Sequence, residues 1–139
     1  STAVGVGRLT DARRHRSLMT TGKISRAFFE DRIASRLGAD RDDVALGPTY
    51  GVDFGVVDVG GRALVTATDP ISVLPELGFE RAGEFALEIV LSDVAVSGLP
   101  PTHLTISLSL PPGITDAEFD RFWGAIDAEC RVLCVAVVH

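Results

Sequence analysis

The sequence has few of the residues that most often build a metal or nucleophilic site. Its 139 residues include two cysteines, three histidines, one lysine, one tryptophan and one tyrosine. Cys130 and Cys134 lie four positions apart, and a zinc site would need two more ligands from His15, His103 and His139 alone. The pattern therefore favours buried thiols in a reduced compartment over a metal centre.

Long apolar runs and a leader-like N-terminus are also missing. No run reaches the length that spans a bilayer, and the basic-then-apolar order of a signal peptide is absent. These absences predict a cytoplasmic protein with no membrane partner. The length predicts a single domain that buries about two-thirds of its unfolded surface.

The charge is acidic overall and unevenly distributed. Thirteen basic and nineteen acidic side chains give a net charge of −6. Residues 1–18 carry four arginines and one aspartate, a local +3, which leaves −9 for the rest. Four arginines without an aromatic residue are a weak nucleic-acid signature, and the body is acidic, so no nucleic-acid partner is expected. Residues 1–21 are predicted to be a flexible basic N-terminal extension outside the fold, and 22–139 the folded domain.

Hydrophobic periodicity predicts three helices and four strands. One helix has Phe28, Phe29, Ile33 and Leu37 on one face and Gly38 as its C-terminal cap. A Gly60-Gly61 turn predicts a hairpin. Thr115 and Glu118 predict a capping box at the start of the last helix. The predicted strands are 52–59, 62–68, 102–110 and 131–138, and the second helix is about 80–97.

This order predicts a mixed α/β fold with a sheet and helices on one of its faces. Strand 102–110 alternates leucine and isoleucine with serine and threonine, which is typical of a half-buried strand. Its polar face would meet either water or a partner sheet across a symmetric interface.

Three aspartates lie where an apolar core would not place them. Asp53 stands between Gly51 and Gly55 at the start of a strand, and Asp69 precedes a proline at the end of the next strand. Asp93 lies within the most apolar predicted helix, where an unpaired buried carboxylate would cost several kcal/mol. Each also has a purely structural interpretation: Asp53 as a turn residue, Asp69 as a loop cap and Asp93 as a charge on the solvent-facing side of a helix. Together they are compatible with magnesium, which takes one or two carboxylates plus phosphates, although spacing alone does not show that they converge.

Five motifs in this order resemble a known superfamily. They are GKI (22–24), GPTYGVDFGVVD (47–58), TDPI (68–71), LSDVAVSGLPP (91–101) and LSLPPG (108–113). The chain resembles archaeal aminoimidazole ribonucleotide (AIR) synthase-related proteins over 22–139, the N-terminal half of such proteins. Their superfamily includes AIR synthase, thiamine-monophosphate kinase and the hydrogenase maturation factor that dehydrates a carbamoyl thioester.

The resemblance implies a four-stranded sheet with helices on its outer side. Two copies would pair their sheets into an eight-stranded barrel, a homodimer that covers the polar face of strand 102–110. It also implies ATP and Mg²⁺ as cofactors, with Asp53, Asp69 and Asp93 as metal and cofactor ligands. Lys23 is either a phosphate contact or a solvated residue at a helix entry.

The sequence departs from the family pattern in three places. Val52 replaces a second acid beside Asp53, and Phe54 and Gly55 follow where the family commonly has alanines. The final strand lacks the Gly-Gly-His-Thr of the relatives, so His139 receives no role. Because the resemblance covers only the N-terminal half of such proteins, the C-terminal half, which in the family completes the cleft, is expected to be missing from this chain.

Two classes of function remain open, with the small-molecule substrate unknown. The first is half of an ATP-dependent enzyme that activates an amide, carbamoyl or phosphate acceptor by phosphoryl transfer. The alternative is a non-catalytic dimerisation or nucleotide-sensing module of the same fold. An unrelated mixed α/β binding domain that shares these motifs by chance is a third possibility.

Overall fold

A computed structural model describes residues 24–139. The predicted extension 1–21 and Lys23 lie outside this range. The chain divides into a unit that ends at Arg36 and a second unit from Leu37 to His139.

In the first unit, helix α1 comprises Arg26–Arg32. The Ser25 hydroxyl caps its start by accepting a hydrogen bond from the Phe28 amide at 3.2 Å. The predicted helix is too long at its C-terminal end. The Phe29 carbonyl accepts from the amides of both Ile33 and Ala34, at 2.9 Å each, so the last turn widens and the helix stops. Gly38, with φ of 90°, therefore lies in a separate bend and does not cap α1.

The second unit begins with a three-stranded antiparallel sheet. Its strands are β1 (Val44–Leu46), β2 (Gly55–Asp58) and β3 (Ala63–Thr66), in the order β1-β2-β3. The β2–β3 hairpin is confirmed with shorter strands than predicted, and β1 was not predicted.

The predicted Gly60-Gly61 turn is confirmed in detail. Val59 and Arg62 exchange backbone hydrogen bonds of 2.8 and 3.3 Å across it, and both glycines have positive φ, 61° and 83°. Those are the requirements of a type I′ turn, whose twist matches that of the flanking strands. The Asp58 carboxylate accepts from the Gly61 amide at 2.6 Å and closes the turn further.

Four short strands form two parallel ladders. They are β4 (Ile71–Ser72), β5 (His103–Leu104), β6 (Leu108–Ser109) and β7 (Ala136–Val137). Strand β4 pairs with β6, and β5 pairs with β7. The predicted strand 102–110 is therefore divided between two partners, and the strands form three small sheets instead of one four-stranded sheet. The predicted alternation holds from residue 104 to 109: Leu104 is buried, Ile106 and Leu108 pack against the core, and the serines and threonine that alternate with them are exposed. It fails at Leu110, which is exposed although the pattern placed it on the apolar face.

Two long helices cover the parallel ladders. Helix α2 (Phe79–Ala95) follows a 3-10 turn at Pro75–Leu77, and α3 is Asp116–Leu133. Their buried faces meet each other and the parallel strands in one core. That core consists of Ile71, Val73, Ala82, Ala86, Leu87, Val90, Leu91, Leu104, Phe122, Ile126, Cys130 and Val135. The antiparallel sheet contributes none of these buried residues. No helix within residues 24–139 is long and apolar enough to cross a membrane.

The α2–α3 crossing is close at Gly83. A Cβ atom on this residue would collide with the backbone carbonyl oxygen of Phe122 and lie 3.2 Å from the Ala125 Cβ atom. Glycine at position 83 therefore sets the distance between the two helices.

The ends of α3 follow two known capping patterns. The Thr115 hydroxyl accepts from the Glu118 amide at 3.3 Å, and the Glu118 carboxylate accepts from the Thr115 amide at 2.9 Å, so the predicted capping box is confirmed. At the other end Cys134 has φ of 55°, and the Val135 amide donates to the Cys130 carbonyl at 2.9 Å. This is a Schellman-type end, in which buried Cys130 and Val135 supply the accompanying apolar residues.

The helix consequently runs three residues further than predicted, and the final strand begins at Ala136 instead of residue 131. Cys130 is buried as predicted, and burial raises the pKa of its thiol. The prediction of a buried thiol is wrong for Cys134, which is exposed because the left-handed cap turns it away from the core.

Candidate functional site

Asp53 is positioned by a tight turn directly before β2. The Val52 amide donates to the Thr49 carbonyl at 3.1 Å, and Gly51 has φ of 83°. Gly51 occupies the third position of the turn, where a type II turn requires positive φ. Asp53 follows this turn, two residues before β2 begins, and its side chain is exposed. The glycine-flanked motif thus delivers a carboxylate to the surface at the entry of the hairpin.

Asp69 lies in the connection between β3 and β4 and is half-buried. Gly55 pairs with Thr66 in the hairpin. Continuing that register by two residues would place Asp53 opposite Thr68, the neighbour of Asp69. Both acids therefore leave the hairpin at its open end, away from the Gly60-Gly61 turn.

Asp93 lies near the C-terminal end of α2. It follows Val90 and Leu91 of the buried face and is itself half-buried. Asp93 takes part in an interaction with another group and is therefore not without a partner.

The three aspartates differ in how closely the fold associates them. The hairpin brings Asp53 and Asp69 to one end, whereas Asp93 is held on a separate helix. Within residues 24–139 no group of three or more histidine, cysteine, aspartate or glutamate side chains is arranged to hold a metal ion. The donor chemistry suits a hard cation such as Mg²⁺, which commonly takes one or two carboxylates and completes its shell with phosphate oxygens and water. The roles assigned to the three aspartates and to Lys23 remain predictions.

One charged group near the hairpin was missed from the sequence. Arg41 makes a two-point contact with the Asp43 carboxylate, with distances of 2.8 and 2.5 Å, and this hydrogen bonding lowers the pKa of Asp43. The Asp43 carbonyl also accepts from the Asp58 amide at 2.7 Å and extends the β1–β2 pairing. The sequence signal for this pair is an arginine among three aspartates, directly before β1. It is easily missed because β1 has only three residues, too few to show the alternation that identifies a strand.

An open depression is lined by Asp40, Arg41, Asp42 and Asp43. Its single cation, Arg41, is already paired with Asp43, and Asp40 and Asp42 add two further negative charges to the lining. Such a surface would repel a phosphate or carboxylate ligand, so its charge does not suit a nucleotide.

Residues 51–139 match the family described as AIR synthase related protein, N-terminal domain. This span covers well over half of the chain and contains Asp53, Asp69 and Asp93. The chain belongs to this family, which confirms the resemblance drawn from the five motifs. No curated protein and no solved structure matches the chain.

Proposed function

We propose that the chain is the N-terminal, nucleotide-binding half of an ATP- and magnesium-dependent enzyme related to AIR synthase. Such an enzyme would activate an amide, carbamoyl or phosphate acceptor by phosphoryl transfer. The observation that carries the proposal is the family match over 51–139, which includes all three acidic motifs. The hairpin register supports it, since two of the acids lie at the same end of one hairpin.

Asp53, Asp69 and Asp93 are the residues that would hold the cation. A bound Mg²⁺ would neutralise the charge between these carboxylates and the phosphates of ATP, which otherwise repel each other. Neighbouring residues would position these carboxylates. Gly51, with its positive φ, turns the chain so that Asp53 lies exposed after the turn, and Pro70 has a fixed φ that restricts the backbone directly after Asp69.

The test is thermal protection of the protein by Mg-ATP. A ligand at about one hundred times its Kd stabilises a protein by about 2.7 kcal/mol, enough for a shift of several degrees in Tm. Asp69→Asn should abolish the shift produced by millimolar Mg-ATP, because the substitution removes the charge and keeps the shape.

The matched control is Asp58→Asn. Asp58 is exposed on the same hairpin but at the turn end, and asparagine can still accept the Gly61 amide hydrogen bond. This variant should retain full protection. A parent protein that Mg-ATP leaves unprotected, or an Asp69→Asn variant protected as well as the parent, would refute the proposed site.

A homodimer is proposed on the polar face of the segment 102–110. The described residues form three small sheets. In the dimer that the family resemblance implies, the strands of this segment would instead join the hairpin in one four-stranded sheet, and two such sheets would close into a barrel. Thr105, Ser107 and Ser109 are exposed on this face, and the antiparallel sheet exposes Leu64 (51%) without contributing to the core. Both surfaces are therefore open to a second copy.

Sedimentation equilibrium of the parent and a Ser107→Arg variant tests the dimer. Two arginines brought together across a symmetric interface would repel each other and lose hydration, so the variant should sediment as a monomer. Thr102→Arg adds the same charge at the exposed first residue of the segment, outside the alternating polar positions 105, 107 and 109, and serves as the control. A parent that is monomeric at high concentration, or a Ser107→Arg variant that remains a dimer, would contradict the proposed interface.

A second candidate is a nucleotide-sensing or dimerisation module without catalysis. Val52 favours it, since an exposed valine stands where the family motif commonly carries a second acid. Two measurements separate the candidates. The enzyme and a nucleotide-sensing module both predict Mg-ATP protection, whereas a module that only dimerises predicts none. Only the enzyme should release ADP when a suitable acceptor and the rest of the protein are present.

A further inference from the structure

No further inference is drawn: the strongest candidate, the solvent-facing side of α2 where Phe85, Ile89 and Val96 are exposed beside Glu84 and Glu88, is an unpartnered helix face, and nothing in residues 24–139 shows what covers it.

Discussion

Replacing Gly83 with alanine should destabilise the protein, against the usual effect of such a change in a helix. In a helix interior, glycine to alanine gains about 1 kcal/mol from propensity alone. At Gly83, however, the added methyl group would collide with the Phe122 carbonyl oxygen of α3. That atom belongs to a helix backbone and cannot move aside by rotation of a side chain.

This collision can be relieved only if α2 and α3 move apart. A gap of about 0.5–1 Å forfeits a quarter to a half of each dispersion contact across the interface. This interface includes Leu87, Phe122 and Ile126, which are among the most completely buried side chains of the described chain. Overpacking of a protein core typically costs about 1–3 kcal/mol, so we expect Gly83→Ala to lower the free energy of unfolding by about 2 kcal/mol.

Gly124 offers a matched control. It also lies inside a helix, α3, but a Cβ atom there would have no neighbour within 4 Å. Gly124→Ala should therefore show the propensity gain by itself, a stabilisation of about 0.5–1 kcal/mol.

Urea unfolding followed by the fluorescence of Trp123, the single tryptophan, measures both variants. The two midpoints should move in opposite directions with little change in the slope. If Gly83→Ala were as stabilising as Gly124→Ala, the close approach of the two helices would be refuted.

Two further predictions concern the ends of α3. Cys134→Gly should stabilise the protein by about 1 kcal/mol, because a left-handed residue with a Cβ atom is strained; Cys134→Val should lower the urea midpoint, and equal midpoints for the two variants would contradict the cap geometry. The capping hydrogen bonds of Thr115 lower the pKa of Glu118. The contribution of the Glu118 carboxylate to the free energy of unfolding is therefore fully present above the ordinary glutamate pKa of about 4.3. It is lost as the pH falls through the lowered pKa of the folded protein. Between pH 7 and pH 3, the Tm of Glu118→Gln should fall less than that of the parent, and identical losses would rule out a role for this carboxylate.

Local signals in the sequence predicted much of the fold. The Gly60-Gly61 turn and the Thr115–Glu118 capping box depend on residues within a few positions of each other, and both are present as predicted. Three other features of the fold could not be predicted from such local signals. The division of 102–110 between two ladders and the close approach at Gly83 depend on partners far away in sequence, which periodicity does not report. The extension of α3 was missed for another reason: its end is set by a non-glycine residue, Cys134, in the left-handed conformation, which L residues rarely adopt.

For the candidate site, too, the sequence predicted local relations between residues but not those that depend on long-range packing. Motif order identified the family and drew attention to Asp53, Asp69 and Asp93. The hairpin register links the first two because they flank one local turn structure. The relation of Asp93 to them depends on how α2 packs on the strands, and no spacing rule along the chain specifies that packing.

The two parallel ladders have a consequence for the order of folding. The β2–β3 hairpin closes over the two-residue Gly60-Gly61 turn. By contrast, β5 (His103–Leu104) can meet β7 (Ala136–Val137) only after the segment between them, which contains β6 and the 18-residue helix α3, has folded back. Contacts of such separation form slowly because a long loop must close first. Until then the edge of β5 that β7 will occupy has unpaired backbone groups, which is the condition under which strands of different molecules pair. Refolding yield should consequently fall with protein concentration, and the loss should begin at this edge.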